Sequence, residues 1–442
     1  MKKHFDMIIK NGLVYSQGRF HNTDLAVTNG IIEALGNFQS SSADKIIDAT
    51  GLHVLPGVID TQVHFREPGL EHKEDLESGT LSALAGGVTA VFEMPNTKPA
   101  TTTLEALKDK LNRAKNRTYT DHAFYVGASH DNIAELAKLE LEAGVCGVKI
   151  FMGSSTGSLL VEDDLHLEKI LRSGKRRVAV HCEDEYRLRE RKQIAIDAKN
   201  PIAHPEWRDE ETALNATRRL LALAQKTFRP VHVLHVTSAK EIDLLSKNKD
   251  FATVEVTPQH LTLFAPDCYE KLGTLAQMNP PIRDKHHMEA LWKGINDGTV
   301  SVIGTDHAPH TIEEKKKPYP DSPSGMPGVQ TLIPIMLDHV NQGKLSLERL
   351  TELICKKPAE IFKIKKRGDI LPGMEGTFTL IDLKETREIT HDWLKSKCDW
   401  SPYEGMQVTG WAKGAILRGK IAMMEDEIID FPKGLPLVFD HA

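Results

Sequence analysis

Between residues 54 and 305, short apolar runs alternate with stretches of helical periodicity, and this alternation constrains the fold more than any other feature of the chain. Eight strands alternating with helices over about 250 residues are what a (β/α)8, TIM-like barrel requires. The alternative is an open doubly wound sheet, but no G-x-G-x-x-G motif follows the first strand. The predicted strands are 54–64, 88–94, 122–127, 147–152, 177–181, 231–236, 252–257 and 300–305, and the predicted helices between them are 74–85, 104–114, 132–143, 165–172, 210–225, 239–246 and 285–296.

The two ends of the chain share a pattern that the middle lacks. Up to residue 54, short apolar runs are separated by turns such as Asn11-Gly12 and Asn29-Gly30, which is typical of antiparallel strands without helices. After a helical tail (329–340, 347–353 and 358–361), the strand pattern returns beyond Gly368. We therefore predict one small β-sandwich domain built from residues 1–54 and 366–442, with the barrel of residues 55–365 inserted between them.

Charge and cysteine content narrow the functional classes. The 442 residues carry a formal net charge of -6, which gives no electrostatic case for binding nucleic acid or an anionic membrane. The five cysteines form no C-x-x-C pair, as expected for free thiols in a reducing cytosol. No apolar stretch is long enough to span a bilayer, and the amino-terminal apolar run is too short for a signal peptide. We expect a cytoplasmic protein.

Polar residues end several of the predicted barrel strands. Chemistry in such barrels takes place at the carboxyl ends of the strands. Imidazole and carboxylate groups that converge there suit Zn²⁺ or a similar ion. On the first strand, Arg66 shares a face with His64, and its guanidinium can hold a carboxylate in a bidentate grip. The strand-end residues are Gln62, His64, Asn96, Lys149, His181, His235 and Asp306.

Lys149 needs its own explanation, because an ammonium next to a metal ion would be repelled and costly to bury. Three possibilities exist: a lysine that forms a Schiff base, a lysine paired with a carboxylate, and a lysine carbamylated by CO2. The carbamate replaces a cation with an anion that can bridge two metal ions. This third possibility fits the charges around Lys149 best.

Taken together, several motifs resemble those of the cyclic amidohydrolases and, within them, the longer type of dihydroorotase. The resemblance covers nearly the whole chain. The motifs are residues 60–69, which contain His64-Phe65-Arg66-Glu67-Pro68-Gly69, then Met94-Pro95-Asn96-Thr97, Gly147-Val148-Lys149, Val180-His181-Cys182-Glu183-Asp184, His235-Val236-Thr237-Ser238, residues 278–283 and residues 304–310.

The resemblance implies a role for each matching residue. One or two zinc ions are expected, and Asp306 would serve both as a ligand and as general acid and base. The substrate would be a small molecule with a carboxylate. The implied metal ligands are His64, Lys149 as the bridging carbamate, His181, His235 and Asp306, and the implied substrate-binding residues are Arg66, Asn96, Asn279 and His310.

The sequence departs from the family at Gln62, where the usual pattern is His-x-His. The leading hypothesis is a zinc-dependent dihydroorotase of pyrimidine synthesis. The alternatives are a related ring amidase (allantoinase or hydantoinase) and a non-catalytic scaffold, which Gln62 favours. We also expect a homodimer or higher homo-oligomer and a possible association with another enzyme of the pathway. Residues 310–328, with three consecutive lysines, are predicted to be a solvated loop and a candidate lid.

Overall fold

The computed structural model describes residues 4–38, 40–154, 159–429 and 433–440. Its strands fall into an amino-terminal group, a barrel group and a carboxyl-terminal group. The first group is β1 (His4–Lys10), β2 (Leu13–Ser16), β3 (Arg19–Asn22), β4 (Asp24–Thr28), β5 (Ile31–Gly36), β6 (Ser42–Asp48) and β7 (His53–Pro56). The barrel strands are β8 (Val58–Val63), β9 (Val88–Glu93), β10 (Asp121–Gly127), β11 (Val145–Phe151), β12 (Val178–His181), β13 (Val231–Val233), β14 (Ala252–Val256) and β15 (Val302–Ile303). The last group is β16 (Phe378–Glu388), β17 (Gln407–Leu417), β18 (Lys420–Met424) and β19 (Glu427–Ile428).

Helices follow most of the barrel strands, and further helices follow β15. They are α1 (Leu76–Ala85), α2 (Leu104–Ala114), α3 (Ile133–Leu139), α4 (Asp164–Arg172), α5 (Glu185–Ala198), α6 (His204–Trp207), α7 (Glu210–Thr227), α8 (Ala239–Ser246), α9 (Pro258–Thr262), α10 (Asp267–Leu272), α11 (Lys285–Asn296), α12 (Ile312–Lys315), α13 (Leu332–Asn341), α14 (Leu347–Thr351) and α15 (Lys357–Phe362). Within the described ranges, no helix is both long enough and apolar enough to cross a bilayer.

The barrel strands β8 to β15 form one sheet, with neighbours in chain order and parallel pairing throughout. A parallel bridge from Val63 to His307 joins its two edges, and the His64 amide donates to the His307 carbonyl at 2.7 Å. At the amino ends of the strands, Phe362 fills the barrel, with its ring 5.0 Å from that of Phe92. The predicted barrel is therefore confirmed.

The two ends of the chain build two flanking sheets. The sheet of order β5-β4-β1-β6 contains amino-terminal strands alone, whereas the sheet of order β19-β18-β17-β16-β7-β2-β3 combines strands from both ends. One buried cluster joins side chains from both sheets, including Val27, Val54, Phe378 and Ile416. This is the sandwich expected from the strand patterns, whereas its exact domain limits at residues 54 and 366 stay predictions.

The amino-terminal strands are not purely antiparallel, so that part of the prediction was wrong. β1 pairs antiparallel with β4 but parallel with β6, and β2 pairs parallel with β7. Parallel neighbours need a crossover connection between them. The β4–β5 hairpin lies between β1 and β6 in sequence and provides that crossover.

The first predicted strand, 54–64, is in fact two strands that belong to different sheets. β7 pairs with β16 in the sandwich and β8 pairs with β9 in the barrel. Gly57 separates them at a close approach, since a Cβ there would lie 2.4 Å from Thr89 Oγ1 and 2.7 Å from Thr377 Cγ2. Only a glycine fits this junction, and a continuous apolar run hides it in the sequence.

Helix α5 was missed by the sequence analysis. It is dominated by charged and polar residues, and its buried side chains are Glu185, Leu188 and Ala195. Helical periodicity in a sequence depends on a regular apolar stripe, which this helix lacks. Its start is fixed by Asp184, whose side chain accepts a hydrogen bond from the Arg187 amide.

Candidate active site

The predicted site residues meet at the carboxyl ends of the barrel strands. Six of the residues singled out in the sequence line one small cavity together with Phe151, Ala308, Ser324 and Gly325. Because they come from β8, β12 and the segments after β8, β13, α10 and β15, the fold brings residues from distant parts of the chain into one place. The six residues are Gln62, His64, His181, His235, Asn279 and Asp306.

Three site residues have left-handed backbone conformations, with φ angles of 66° at Arg66, 36° at His235 and 48° at Asp306. Each such conformation costs roughly 1–3 kcal/mol in a residue with a side chain, and such residues cluster at functional sites. Each directly follows or lies near the end of a barrel strand. The backbone therefore turns sharply where it presents these side chains.

His64 and Asp306 form the first half of the site. His64 Nε2 lies 3.0 Å from Asp306 Oδ1, and His64 Nδ1 lies 2.8 Å from the amide oxygen of Asn96. The Gln62 amide donates from Nε2 to the same Asp306 oxygen at 2.9 Å. Burial lowers the pKa of His64, so the ring is neutral at neutral pH. Either ring nitrogen can carry the remaining proton, because Asn96 and Asp306 each lie within hydrogen-bond distance of one of them.

His181 and His235 form the second half. His181 Nδ1 lies 3.0 Å from His235 Nε2. His181 Nε2 donates to Glu183 Oε2 at 2.9 Å, so its Nδ1 carries a lone pair. Burial lowers the pKa of His181, and burial with the neighbouring His181 holds the pKa of His235 well below its usual value. Neutral imidazoles are the form that binds metal ions.

Glu183 holds His181 in position and is itself held by Arg208. Arg208 Nε donates to Glu183 Oε1 at 3.0 Å, and both side chains are buried. Burial alone would raise the pKa of Glu183, but Arg208 and His181 together lower it to about 2. The carboxylate is therefore charged at every physiological pH. It fixes the tautomer of His181, as partners of metal-binding histidines do.

Lys149 projects from β11 into the same region and is 1% exposed. Its Nζ has no hydrogen-bond partner among the described residues and lies 4.4 Å from the centre of the Phe151 ring. Burial lowers the pKa of Lys149 to about 7. A large share of the amine is then neutral near neutral pH and can react as a nucleophile.

The donor set fits a metal ion. His64 Nε2 and Asp306 Oδ1 lie 3.0 Å apart, and imidazole nitrogen and carboxylate oxygen are both zinc ligands. His235 Nδ1 and Gln62 Oε1 are also buried without partners in the described part of the chain. Among the residues that the structure describes, the groups of three His or Asp ligand atoms within 4.8 Å of one another lie away from this cavity, at His130, Asp163 and His166, and at Asp284, His286 and His287.

Arg66 and His310 lie together beside the cavity. Arg66 Nε donates to the Pro309 carbonyl at 3.1 Å, and Arg66 Nη2 lies 3.3 Å from His310 Nε2. On the other side of that ring, Lys73 Nζ lies 3.0 Å from His310 Nδ1. Arg66 is 2% exposed, and no carboxylate in the described ranges lies within ion-pair distance of it. Burial lowers the pKa of Arg66 to about 10, so the guanidinium stays charged.

Asn279 connects the small cavity to a larger one. A neighbouring cavity of ≈ 460 Å³ shares Asn279 and Ser324 with it and includes His204, Trp207 and Arg208 in its wall. This volume lies in the range of small-molecule sites. His204 Nε2 lies 3.0 Å from Asn279 Oδ1, which orients the amide. In the part of the chain that the structure describes, the lining of the small cavity does not include the predicted residues Arg66, Asn96, Lys149 and His310.

The prediction of a solvated loop over residues 310–328 was wrong for Lys315. Lys316 and Lys317 are exposed, but Lys315 is fully buried. Its Nζ donates to three main-chain carbonyls, at 3.1 Å to Gln277, 2.9 Å to Pro323 and 3.1 Å to Gly325. Because these acceptors satisfy the ammonium, the segment is fastened to the barrel. Whether it moves as a lid stays a prediction.

Sequence reasoning also missed residues that support the site. Glu183 lies two residues after His181, so a strand alternation could have placed it near the same face. Arg208, His204 and Lys73 lie in loops or helices, and no strand-end position marks them. Only the folded structure brings these three side chains to the site.

The sequence and the fold of this chain resemble those of known proteins. Residues 53–422 match the amidohydrolase family. A dihydroorotase from Methanosarcina acetivorans is 33% identical over 437 residues, which cover 96% of this chain and 93% of that protein. A dihydroorotase from Thermococcus kodakarensis is also 33% identical, covering 97% and 98%. The L-hydantoinase structure from Arthrobacter aurescens has a TM-score of 0.92 at 29% identity and covers 97% of this chain and 98% of its own.

Proposed function

Since this chain belongs to the amidohydrolase family, we propose that it is a dihydroorotase, which interconverts N-carbamoyl-L-aspartate and L-dihydroorotate in pyrimidine synthesis. The observation that carries the proposal is the meeting of His64, His181, His235 and Asp306 in one cavity. The dihydroorotases that this chain resembles match it over nearly its full length. The reaction opens or closes a cyclic amide.

We propose that zinc, as one or two ions, binds at this cavity. His64 and Asp306 would hold it on one side and His181 and His235 on the other. When bound, the metal polarises the amide carbonyl and lowers the pKa of a water molecule. The support in this chain is the 3.0 Å approach of His64 Nε2 to Asp306 Oδ1, together with the burial that lowers the pKa of His64 and His181.

The proposal includes a carbamate on Lys149. The neutral amine attacks the carbon of CO2, a C–N bond forms, and the amine loses a proton to solvent, leaving an anion. Two features support this step. Lys149 has a pKa lowered by burial to about 7, and its Nζ has no partner among the described residues. The product replaces an unsatisfied cation with an anion that could act as a metal ligand.

Asp306 is the proposed general base and acid. Its carboxylate accepts the proton of the attacking water and then delivers it to the ring nitrogen that leaves, and ring closure runs in reverse. Gln62 and His64 both contact Oδ1 of Asp306, which fixes the direction in which the carboxylate points. In this role Gln62 positions the acid–base group, whereas a histidine at the same place would bind the metal.

Arg66 is the proposed anchor for the substrate's carboxylate. Its buried guanidinium has no carboxylate within 4 Å among the residues that the structure describes. A carboxylate on the substrate would supply the missing ion pair. His310 adjoins the guanidinium, and Asn279 faces the cavity. Asn96 contacts His64 through its amide oxygen, and we propose that its substrate role uses the amide nitrogen.

A second candidate function is hydrolysis of hydantoins or dihydropyrimidines, favoured by the likeness to the L-hydantoinase structure. The carboxylate anchor separates the two, because the simple rings carry no carboxylate for Arg66 to hold. Turnover of L-dihydroorotate, hydantoin, allantoin and dihydrouracil by the purified protein is the deciding assay. Preference for one of the uncharged rings would reject the dihydroorotase proposal.

The Arg66→Ala variant sharpens this assay. We expect loss of at least about 100-fold in kcat/KM for dihydroorotate, because a buried charged pair contributes roughly 3 kcal/mol or more. Arg172→Ala is the control, because Arg172 is an exposed arginine on α4 that pairs with Glu168 away from the cavity. The scaffold alternative is tested by metal analysis of protein purified without chelators, since absence of both zinc and turnover would favour it. The cytoplasmic location, the homo-oligomer and the association with another pathway enzyme stay predictions.

A further inference from the structure

A second cavity lies at the end of the barrel opposite the candidate active site. It has a volume of ≈ 570 Å³, and we call it the amino-end cavity. Its wall is formed by Glu140 and Leu141 after α3, Cys146 in β11, the connection 174–177 before β12, Pro230 before β13, and residues 361–363 at the end of α15. Its volume is within the range of sites that bind small molecules.

Cationic side chains outnumber anionic ones in this wall. Lys175, Arg176, Arg177 and Lys363 line it, against Glu140 and Asp440. Glu140 is already neutralised, because Arg229 Nη2 donates to its Oε2 at 2.5 Å and the Lys175 amide donates to Oε1 at 2.6 Å. The wall of the amino-end cavity therefore carries an excess of positive charge in a protein whose net charge is -6.

Arg177 is the least satisfied of these cations. Its Nη1 donates to the Val231 carbonyl at 2.8 Å, but its Nε is buried without an acceptor in the described residues. No carboxylate in those ranges pairs with it, and burial alone lowers the pKa of Arg177 to about 10. A guanidinium buried without a counter-ion is costly, and an anion placed beside it removes that cost.

Arg176 adds a second guanidinium to the wall. Its Nη1 donates to the carbonyls of Glu140 and Val145, at 2.8 and 2.5 Å. The group lies 4.7 Å from the centre of the Phe439 ring, which holds it in place. With Arg177, the wall of this one cavity therefore carries two guanidinium groups, and both attract an anionic head.

The rest of the wall is apolar. Ile361, Phe362, Leu141 and Pro230 contribute hydrocarbon or aromatic surface, and the Phe362 ring is fixed by its edge contact with Phe92. An inorganic anion would leave this surface uncovered. A ligand with an anionic head and an apolar or aromatic body would match both parts.

We propose that the amino-end cavity binds a small organic anion, with a phosphate or carboxylate head held by Arg176 and Arg177 and an apolar body against Ile361 and Phe362. This site is separate from the active site. Cys146 and Arg177 lie at the amino ends of β11 and β12, whereas Lys149 and His181 lie further along the same strands towards the opposite end. The proposal does not depend on the reaction assigned to the chain.

The test is a calorimetric titration of the full chain with phenyl phosphate, and with benzoate to compare the two heads. We expect saturable binding at one site for at least one of them. Inorganic phosphate and phenol should each bind at least about tenfold more weakly, because phosphate lacks the apolar body and phenol lacks the anionic head. The same titration on Arg66→Ala should be unchanged, since that arginine lies at the other end of the barrel.

The variant Arg177→Gln should weaken binding at least about tenfold, because a hydrogen bond to a charged group is lost. Arg172→Gln is the matched control, since Arg172 lies on the nearby α4 but pairs with Glu168 outside the cavity. Should Arg177→Gln fail to fold, Lys175→Gln replaces it, because Lys175 is exposed and its loss is expected to weaken binding severalfold.

Three results would overturn the proposal. One is no saturation by either organic anion up to roughly 10 mM, a concentration that fills even a site with a Kd of about 1 mM. Another is equal affinity in the wild-type chain and in the folded cavity variant. The third is binding that disappears in Arg66→Ala, which would place the ligand in the active site instead.

Discussion

The side-chain amide of Gln62 donates a hydrogen bond to Oδ1 of Asp306 across 2.9 Å. Both residues are buried, and His64 reaches the same oxygen. The family resemblance leads to the expectation of a histidine at position 62, and the amide of Gln62 instead orients the carboxylate proposed to move the proton. The departure from the His-x-His pattern therefore corresponds to a specific contact in the site, the hydrogen bond from Gln62 to Asp306.

Replacement of Gln62 by leucine should lower kcat for dihydroorotate by about 10- to 100-fold. A hydrogen bond to a charged group contributes roughly 1.5–3 kcal/mol, and its loss lets Asp306 rotate. Steady-state kinetics measure the effect. Gln193→Leu is the matched control, because Gln193 donates to Asp197 in the same way but on the exposed face of α5. Unchanged kcat in Gln62→Leu would contradict the positioning role.

The variant Lys149→Ala should lose bound metal and nearly all activity, because it removes the amine that would carry the carbamate. Added acetate or propionate should restore part of both, since a short carboxylate can occupy the vacated space. Metal content by elemental analysis and turnover are the two measurements. Lys317→Ala, an exposed lysine, should retain both. A metal-loaded crystal with an unmodified Lys149 amine would count against the carbamate.

Loss of the buried pair between Arg208 and Glu183 should destabilise the fold. We expect Arg208→Met to lower the free energy of unfolding by about 3–5 kcal/mol at pH 7, since it leaves the Glu183 carboxylate buried and uncompensated. Urea unfolding measures this. Arg172→Met, which breaks an exposed pair with Glu168, should cost less than about 1 kcal/mol.

The same pair predicts a pH dependence. In the wild-type chain the folded-state pKa of Glu183 is lowered to about 2, so its stabilising contribution is complete above the unfolded value of 4.5 and is lost as the pH falls towards 2. In Arg208→Met, burial should raise that pKa above the unfolded value, so protonation of Glu183 in the folded state stabilises the variant. The difference in unfolding free energy should therefore begin to shrink as the pH falls through the raised pKa of the variant, and it should go on shrinking towards pH 2. A constant difference between pH 7 and pH 3 would be inconsistent with this linkage.

Lys315→Met should loosen the segment that lines both cavities at the mouth of the barrel. The change removes a donor from three main-chain carbonyls, of which only the Gln277 carbonyl is known to keep another, the Gly325 amide. A buried carbonyl that is left without a donor costs about 1–3 kcal/mol. We expect a lower thermal midpoint and a raised KM, because Ser324 and Gly325 belong to the released segment. Lys316→Met is the matched control on the neighbouring exposed residue. Equal KM values in the two variants would show that Lys315 does not position the segment.

Much of the barrel and of its site could be predicted from sequence because both follow from short-range patterns. Apolar runs mark the strands, and the residues at their carboxyl ends meet by the geometry of the fold. The prediction that His181, His235 and Asp306 lie near one another was made in this way, and the structure brings them to one cavity. The protonation state and the direction of each ring could not be predicted, since they depend on contacts such as that of His181 with Glu183.

What sequence reasoning could not supply were contacts between distant segments. Arg208 reaches Glu183 across 25 positions, and Lys315 reaches the Gln277 carbonyl across 38. The break at Gly57 was hidden for the same reason, because the atoms that crowd it belong to Thr89 and Thr377. Local sequence patterns do not predict which atoms from distant segments will lie next to a residue in the fold.

The pairing of β7 with β16 has a consequence for how the protein is made. Val54 lies opposite Leu380, so the seven-stranded sheet needs both ends of the chain. During translation the first strands leave the ribosome long before their partners exist, and they present unpaired edges while the barrel is being synthesised. Completion of this sheet is therefore a late event, and nascent chains halted before residue 378 should be targets for chaperones that recognise exposed strands.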